Sequence, residues 1–435
     1  MKKVLIITYY WPPGGGSGVQ RWMYFAKYLS GFGIIPVVLT VSEKYASYPQ
    51  TDHKLNKEVR HIKVFKTKTF EPLRFYSFLI SGNKTKGIPQ GEVSNKKNPL
   101  VSVAKFIRGS LFIPDARKFW NIFAFKQAKL ILKNEKPDII ITTGPPHSVH
   151  LTGLKLKKKF SVKWIADFRD PWTDLYYNKD FIRTRRAIKK DSKLEKKVLA
   201  NADIILTVGS KMKELLAKKI KGSENKIKYV YNGYDAELFT GIIVEKSNKF
   251  EISYIGLLTE NSPYKSFALS VKDFVQKISS EKDIVLNFAG KIRGEIINCF
   301  KSELPRVKIR YYGYVSHEKA ISIMKKSDLL VSCLPETEQS EIIISGKTAE
   351  YAATGNPILS FGNKSGESAL ILNNLEFAAT FSKNEIKNAS AFIKEIYEKK
   401  KNGKPAKNNI KSELIKNMSR CETTRLLAEL INEIS

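Results

Sequence analysis

The 435-residue chain is too long for one hydrophobic core and, at 42% hydrophobic residues, has enough apolar side chains for two. It has no uninterrupted apolar run of about eighteen residues, and its start predicts a strand rather than a signal peptide. Its three cysteines, Cys299, Cys333 and Cys421, lack metal-ligand spacing and fit a reducing compartment as packing residues. The composition therefore predicts a two-domain cytoplasmic protein and argues against a membrane-spanning or secreted one.

The chain carries a net charge of +33, from 75 Lys and Arg residues against 42 Asp and Glu residues. The electrostatic field of such an excess positive charge favours an anionic partner. Nucleic acid, an anionic membrane surface and a lysine-rich proteome each account for the excess. No helix-turn-helix, zinc-finger or RRM signature is present, so we expect no nucleic-acid partner.

A glycine-rich loop, Tyr9 to Gly18, follows the first predicted strand, Val4–Thr8, and precedes an amphipathic helix over Val19–Leu29. Its four glycines leave backbone amides bare at a helix N-terminus, where they can hold an anion such as phosphate. The spacing fits neither a dinucleotide fingerprint, which needs glycine where Val19 or Arg21 stands, nor a Walker A loop. A tight turn that only packs is the alternative.

Apolar strand-like runs alternate with helix-length segments, the pattern of parallel sheets with crossover helices. The first series predicts strands at Val4–Thr8, Pro36–Val41, His61–Phe65, Asp138–Thr143, Val162–Asp167, Asp203–Val208 and Ile227–Val230. The second predicts strands at Phe250–Ile255, Ile284–Phe288, Val307–Tyr312, Leu329–Cys333 and Pro357–Phe361. We therefore expect an α/β fold of two Rossmann-like, doubly wound parallel-sheet domains that face a central cleft.

Turn residues at 231–235 and a weakly patterned segment at 236–248 suit a linker, so we expect a first domain at 1–236 and a second at 237–412. A basic stretch, Lys399–Lys411, is predicted to be an exposed loop. The segment Ser412–Ser435 predicts a helix, from about residue 413, that packs back on the first domain. Its apolar face contains Leu414, Leu426, Leu427, Leu430 and Ile431.

Residues 72–135 interrupt the regular alternation with a basic amphipathic stretch between Leu100 and Phe125. Such a stretch can lie in a membrane interface. An inserted helical layer that packs on its own sheet is the alternative.

Two strand ends in the first half hold polar side chains, and ligands of open α/β sheets bind at the carboxyl ends of strands. After Thr143, His147 and His150 lie three residues apart, a spacing that can place both imidazoles on one helix face. They lack a third ligand at metal spacing, which disfavours zinc, and purely structural histidines are the alternative.

The second strand end is the block Asp167 to Trp172. Its Arg169 lies between two carboxylates in sequence, an arrangement that suits either a structural ion-pair network or a site. We expect Asp170 to face the cleft. Trp172 can offer a flat apolar surface to a sugar ring or can simply pack.

In the second half, Ser345 is a candidate cap for a helix that starts at Gly346 or Lys347 and runs to Thr354, with Gly355 as its stop. Lys347 and Glu350 then lie one turn apart. They form a surface ion pair or, alternatively, hold the phosphate and the sugar hydroxyls of a nucleotide.

Together these segments resemble a retaining glycosyltransferase of the GT-B fold, similar to glycosyltransferase family 4. The resemblance covers nearly the whole chain through the glycine-rich loop, the block Asp167 to Trp172 and the segment from Gly346 to Ile358. It implies a nucleotide-sugar held mainly by the second domain, an acceptor held mainly by the first, and sugar transfer in the cleft.

The resemblance also assigns roles to individual residues. Glu350 would bind the ribose, Gly15 and Gly16 would lie against the donor diphosphate, and His147 or His150 would contact the transferred sugar. Lys265, beyond the strand that ends near Gly256, would meet the diphosphate together with Lys347. Tyr10, Arg169 and Trp172 would face the acceptor, which Asp170 or a histidine would orient.

The chain departs from the family pattern at two places. Eight residues separate Glu341 from Glu350 where the family has seven, which affects the donor-sugar contact assigned to Glu341. The arginine that usually accompanies the early lysine is missing, since Thr259 to Ser262 occupy that region.

No Asp-x-Asp motif occurs, so we expect cations and amides rather than a metal ion to stabilise the leaving diphosphate, and we expect no cofactor. The predicted enzyme is a hexosyl- or N-acetylhexosaminyltransferase of surface-polysaccharide biosynthesis. It would use a UDP- or GDP-sugar and a glycan or polyprenyl-linked acceptor, and would be cytoplasmic with peripheral membrane contact through a basic first-domain surface. A sugar-nucleotide epimerase and a non-catalytic GT-B-like binding subunit are the alternatives.

Overall fold

The computed structural model describes residues 1–48, 51–71, 99–175, 178, 181–278 and 281–434. Residues 72–98 of the predicted interruption, and the side chain of Leu100, lie outside this part of the chain. The chain forms two compact units: Met1–Tyr231 with Thr423–Ser435, and Asn232–Glu422.

The first unit is built on a parallel sheet whose strand order is β3-β2-β1-β4-β5-β6-β7. Its central strands are apolar on both faces, as expected of a parallel sheet covered by helices on both sides. The direction in which successive strands are added to the sheet reverses between β1 and β4. These two strands are hydrogen-bonded neighbours, with Val4 opposite Ile139 and Ile7 opposite Thr142. The strands are β1 Lys2–Ile7, β2 Ile34–Val41, β3 Lys63–Thr67, β4 Ile139–Gly144, β5 Lys163–Phe168, β6 Ile204–Thr207 and β7 Ile227–Tyr229.

The helices of the first unit connect these strands or extend the layer beside them. They are α1 Ser17–Leu29, α2 Pro99–Phe106, α3 Trp120–Glu135, α4 Val149–Phe160, α5 Arg185–Asn201 and α6 Ser210–Ala217. Short 3-10 turns lie at Ser30–Phe32, His53–Val59 and Glu224–Lys226, and a π-turn at Ile107–Leu111 extends α2.

The second unit repeats the arrangement with the strand order β10-β9-β8-β11-β12-β13. Its strands are β8 Phe250–Ile255, β9 Ile284–Ala289, β10 Lys308–Tyr311, β11 Leu329–Cys333, β12 Ile358–Phe361 and β13 Ala378–Phe381. Its helices are α7 Ala236–Gly241, α8 Tyr264–Val275, α9 Gly294–Glu303, α10 His317–Lys326, α11 Thr348–Ala353, α12 Glu367–Leu372, α13 Ile386–Lys401 and α14 Glu413–Asn417. Helix α15, Arg420–Ile434, begins in the second unit and continues in the first.

The predicted α/β class and all twelve predicted strands are confirmed, with small shifts of their ends. Strand β13, which was not predicted, is a short edge strand of four half-buried residues, Ala-Ala-Thr-Phe. The segment at 236–248, predicted to be a linker, begins with α7, which Asp235 caps by accepting from the Leu238 amide.

The carboxyl-terminal segment is two helices rather than one. The chain turns at Met418, whose carbonyl accepts a hydrogen bond from the Tyr234 amide at 3.0 Å. Leu414 therefore packs against the core of the second unit, whereas Leu427 and Ile431 are buried in the core of the first.

The basic stretch Lys399–Lys411 is not a fully exposed loop, because it begins inside α13 and includes the buried residues Ala406 and Asn408. The Asn408 carboxamide accepts from the Phe377 amide at 2.7 Å and donates to the Asn356 carbonyl at 3.0 Å. This segment is thereby bound to the sheet.

The stretch from Leu100 to Phe125 forms α2, the π-turn and the first residues of α3. Trp120 is fully buried and donates to the Thr67 hydroxyl at 2.8 Å, whereas Val103, Phe106 and Leu111 are exposed. One part of the stretch is therefore packed in the protein interior, and another part exposes apolar side chains to the solvent. In the described ranges, no helix combines the length and the apolar character that crossing a bilayer requires.

Candidate functional site

Three loops meet at the carboxyl edge of the first sheet, because β4 lies between β1 and β5 in the sheet. The glycine-rich loop follows β1, the loop Gly144 to Ser148 follows β4, and Arg169 to Trp172 follow β5. The reversal of strand order between β1 and β4 is the place where open α/β sheets bind their ligands.

The glycine-rich loop is held by its own aromatic side chains. Tyr9 and Trp11 are buried, and the Gly14 amide donates to the Trp11 carbonyl at 2.9 Å. A β-carbon on Gly14 would lie 3.1 Å from that carbonyl oxygen, and Gly16 has a φ of 90° where it precedes α1. The backbone geometry at Gly14 and Gly16 therefore favours glycine over other residues. Gly15 lies between them in a half-buried position.

Arg169 joins all three loops through backbone carbonyls. Its Nε donates to Gly144 at 3.2 Å, and its two terminal nitrogens donate to Gly18 and Pro145. Asp167 and Asp170 act on the Arg169 charge, but the hydrogen bonds of the guanidinium go to these backbone carbonyls. The guanidinium thereby fixes the relative positions of the loops.

Asp167 is buried and pairs with Arg21 of α1, a residue that we did not single out from the sequence. Its carboxylate accepts from the Arg21 Nη2 at 3.1 Å, from the Trp22 indole at 2.6 Å and from the Thr143 hydroxyl at 2.8 Å. The two charges are thus compensated beneath the loops. Asp167 supports the site and is not available to a ligand.

Asp170 is exposed beside Arg169, and no described group donates a hydrogen bond to its carboxylate. Desolvation by the surrounding loops raises its pKa, and the Arg169 charge opposes that effect. Its exposure to water limits the shift.

His147 and His150 are buried side by side in an aromatic cluster. The His147 ring stacks on Trp172 at 5.3 Å between centroids, and the His150 ring stacks on Phe168 at 4.5 Å. His150 Nδ1 lies 2.8 Å from the Thr142 hydroxyl, whereas its Nε2 and both ring nitrogens of His147 have no hydrogen-bond partner in the described part of the chain.

Both histidines are neutral at physiological pH. Burial, reinforced by the Arg169 charge, lowers the pKa of His147 to about 3. Burial and the neighbouring His147 and Arg169 lower the pKa of His150 well below its usual value. An unprotonated ring nitrogen accepts hydrogen bonds, so the pair suits a ligand hydroxyl rather than an anion.

Trp172 does not offer an open surface to a sugar ring. Only 2% of the residue is exposed, His147 covers one face of its ring, and its indole donates to the Asp191 carboxylate at 2.7 Å. Among the two options that the sequence left, the structure favours packing.

A cavity of about 90 Å³ opens in the first unit beside this cluster. Arg108, Arg117 and Arg183 line it, and we call it the arginine pocket. The three arginines lie in separate segments of the chain, so no sequence pattern distinguishes them from the other basic residues. Only the cavity that they share does so. The remaining lining residues are Tyr10, Gly109, Ile113, Pro114, Asp115, Ala116, Pro145, Pro146, His147, Trp172, Leu175, Asn178, Phe181 and Asp191.

In the second unit, Glu350 is buried between two basic side chains. Lys347 Nζ donates to one carboxylate oxygen at 2.6 Å, and His317 Nε2 donates to the other at 2.9 Å. Burial alone would raise the pKa of Glu350, but Lys347 and His317 outweigh it and lower the pKa to about 2. The carboxylate is therefore ionised at neutral pH.

The predicted pairing of Lys347 with Glu350 is present, but it is not a surface pair, because only 4% of the Glu350 side chain is exposed. The sequence did not indicate His317, which is 33 residues from Glu350 and begins α10 after the capping residue Ser316. Ser345 was predicted to cap α11, but the helix begins at Thr348 and Lys347 is its N-cap. Gly355, with a φ of 70°, ends it as predicted.

Lys265 is exposed in the first turn of α8, which follows β8. Gly256 has a φ of 147°, and a β-carbon on Gly290 would lie 2.0 Å from the Gly256 carbonyl oxygen, so the loops after β8 and β9 touch. Arg293, after β9, pairs with Glu260, in the region where this chain lacks the arginine of the family pattern. Glu341 is half-buried in the 3-10 turn Ser340–Ile342, outside the element that carries Glu350.

Residues 89–238, about one third of the chain, match the family described as Glycosyltransferase Family 4. A comparison with curated proteins finds no significant sequence match.

Solved structures share the complete two-unit architecture. A glycosyltransferase from Rickettsia africae superposes with a TM-score of 0.63 at 16% identity, covering 100% of this chain and 98% of the other. The lipopolysaccharide outer core galactosyltransferase WaaB gives 0.60 at 14% identity, covering 99% of each chain. A UDP-GlcNAc 2-epimerase from Neisseria meningitidis bound to UDP-GlcNAc gives 0.53 at 10% identity, covering 99% of this chain and 100% of the other.

At these identities the shared structures establish the fold. The chain has the two-domain, Rossmann-like GT-B fold, and the family match over residues 89–238 supports a glycosyltransferase similar to those of family 4.

Proposed function

We propose that this protein transfers a sugar from a nucleotide-sugar to an acceptor hydroxyl, with retention of configuration and without a metal ion. The observation that carries the proposal is the ionised, buried Glu350 beside Lys347 and His317. A buried carboxylate costs free energy unless it is paired, and this one retains acceptor capacity for ribose hydroxyls. Lys347, 28% exposed, would meet a phosphate.

The proposed donor is a UDP-linked hexose or N-acetylhexosamine. The Neisseria epimerase of the same fold is bound to UDP-GlcNAc, which supports a nucleotide-sugar as the ligand class and leaves a GDP-sugar as the second choice. Lys265, Lys347 and the amides of Gly15 and Gly16 are the proposed groups that stabilise charge on the leaving diphosphate.

The first unit would hold the acceptor. A neutral His147 or His150 can accept a hydrogen bond from a sugar hydroxyl, and the exposed carboxyl group of Asp170 can orient the hydroxyl that attacks. In the proposed reaction this hydroxyl attacks the anomeric carbon on the face from which the diphosphate leaves. The acceptor oxygen gains the glycosyl group, and its proton passes to the departing phosphate.

Donor binding and transfer test the proposal together. We expect the wild-type protein to bind UDP or GDP and to release it from one sugar-nucleotide of a radiolabelled panel. Glu350→Gln and Lys347→Ala should weaken nucleotide binding at least tenfold, because each removes one proposed ligand contact. Glu318→Gln is the matched control, since Glu318 is exposed on α10 next to His317.

Failure to bind any nucleotide would overturn the proposal. Conversion of the donor to an epimer without an acceptor would instead establish the epimerase alternative. A partner enzyme whose activation survives both substitutions would indicate a non-catalytic binding subunit.

We further propose a role in surface-polysaccharide synthesis at an anionic membrane surface. On α3, Ile122 is 57% and Leu130 54% exposed, and Phe160 at the end of α4 is 41% exposed. Lys126, Lys129 and Lys133 accompany them on α3, which gives the face the apolar and cationic character of an interfacial helix. Sedimentation with phosphatidylglycerol vesicles should exceed that with phosphatidylcholine vesicles, and equal sedimentation would contradict the membrane contact.

A further inference from the structure

The cations that line the arginine pocket are all arginines, although the chain contains 61 lysines and only 14 arginines. Lysine is thus more than four times as frequent as arginine in this chain. Guanidinium groups bind carboxylate and phosphate oxygens in pairs through a rigid fork, which an ammonium cannot do. Three of them at one cavity indicate a planar or tetrahedral oxyanion.

Each guanidinium is positioned by the surrounding protein. Arg183 pairs with Asp191 and donates to the Gly109 carbonyl at 3.4 Å. Arg108 lies over the Phe181 ring, 4.6 Å from its centroid. Arg117 donates to the Ser47 carbonyl at 3.3 Å and to its hydroxyl at 3.0 Å, and its buried Nε has no partner in the described residues.

Two carboxylates line the pocket, and a third lies near Arg117. Asp115 accepts from the Ser148 amide at 2.7 Å, the Ser148 hydroxyl at 2.8 Å and the Arg117 amide at 2.9 Å, so uncharged donors occupy it. Asp191 is shared between Arg183 and the Trp172 indole. Glu71 also attracts Arg117, so three guanidinium groups face three carboxylates, and the buried Arg117 Nε is the donor left without a partner in the described residues.

The pocket has the size of a phosphoryl group. Its volume of about 90 Å³ has room for about six water molecules at roughly 15 Å³ each. Ile113, Pro114, Leu175 and Phe181 supply apolar walls. The neutral His147 at the same cavity supplies an acceptor for a hydroxyl close to the anion.

We infer that the arginine pocket binds a phosphate or diphosphate group that the acceptor carries next to its sugar. This inference rests on the proposed glycosyltransferase function and narrows its acceptor from any glycan to a phosphoryl-linked one. A neutral glycan offers hydroxyl donors, which carboxylates and amide carbonyls recognise better than guanidinium groups do. Here both carboxylates are already occupied.

Binding to the complete protein tests the pocket directly. The probes are farnesyl diphosphate, inorganic diphosphate and farnesol, measured by isothermal titration in the Lys347→Ala background, which removes the proposed phosphate contact of the second unit. We expect both diphosphates to bind and farnesol to bind at least tenfold more weakly. Equal affinity for farnesol and farnesyl diphosphate would overturn the inference.

Substitutions then locate the binding. Arg108→Gln should weaken farnesyl diphosphate binding at least tenfold, and Arg108→Lys should restore part of it, because the charge returns without the fork. Arg186→Gln is the matched control on the exposed side of α5, and it should bind like the parent. Binding that Arg108→Gln leaves within twofold of the parent would place the diphosphate elsewhere and contradict the assignment.

Acceptor competition separates this inference from the proposed function. The wild-type enzyme should glycosylate a sugar linked to a lipid diphosphate at least a hundredfold faster than the same sugar on a neutral alkyl chain. If it binds and turns over a donor but uses both acceptors equally, the inference fails while the glycosyltransferase stands. If it binds no donor, the proposed function itself fails.

Discussion

Replacing Gly144 by alanine should disrupt the histidine pair after β4. A β-carbon at this position would lie 2.7 Å from His147 Nδ1 and 2.8 Å from His150 Nε2. These distances are 0.7 and 0.6 Å shorter than the 3.4 Å at which ordinary contact begins. Neither ring can retreat freely, because Trp172 and Phe168 stack against them.

The cost follows from overpacking a rigid cluster, which is typically about 1–3 kcal/mol. Since about 1 kcal/mol corresponds to roughly 2–4 °C in a unit of this size, we expect the melting temperature to fall by about 2–12 °C. Sugar transfer should fall as well, because His147 is displaced from the arginine pocket.

Thermal unfolding followed by circular dichroism measures the first effect, and a transfer assay measures the second. Gly31→Ala is the matched control in the same unit, since a β-carbon there meets no atom within 4 Å. If Gly144→Ala melts like Gly31→Ala, the packing of the two imidazoles against Gly144 is wrong.

Three further predictions address buried charge. Asp167→Asn should destabilise the protein by about 3–5 kcal/mol in urea unfolding, because it leaves Arg21 buried without its counter-charge; a loss below about 1 kcal/mol would contradict the pairing. Glu350→Gln should remove up to about 3 kcal/mol of stability at pH 7, since the pKa of Glu350 falls from 4.5 to about 2 on folding. That difference should persist above about pH 4.5 and vanish as the pH falls towards 2, where the wild-type carboxylate is protonated too; a difference that is independent of pH would refute the linkage. Because the pKa of His147 is about 3, its protonation should leave no limb in the pH–rate profile between pH 5 and 8, whereas His147→Gln should lower transfer at every pH in that range.

Much of the fold follows from local patterns. Twelve strands were predictable because parallel strands buried on both faces appear as short apolar runs, and the helices between them impose the alternation. Strand β13 was not predicted, because it has only four residues and these are half-buried at a sheet edge.

The candidate site was predictable only in part. The glycine-rich loop, the histidine pair and the pair of Lys347 with Glu350 were found because each lies within a few residues of a strand end or along one helical turn. Arg21 and Asp167 are 146 residues apart, and His317 and Glu350 are 33 apart, so no local pattern connects them. Trp172 was ambiguous in sequence, because burial depends on what packs over it.

The sequence by itself determined two α/β units and the loops that carry polar residues at the ends of their strands, because hydrophobic periodicity and glycine placement act over a few residues. Only the tertiary structure decided which side chains meet. It paired Asp167 with Arg21 beneath the loops, joined Arg169 to the carbonyls of the loops, and assembled Arg108, Arg117 and Arg183 around one cavity. The physical reason is that burial and charge compensation depend on neighbours brought together by the sheet, which no spacing along the chain records.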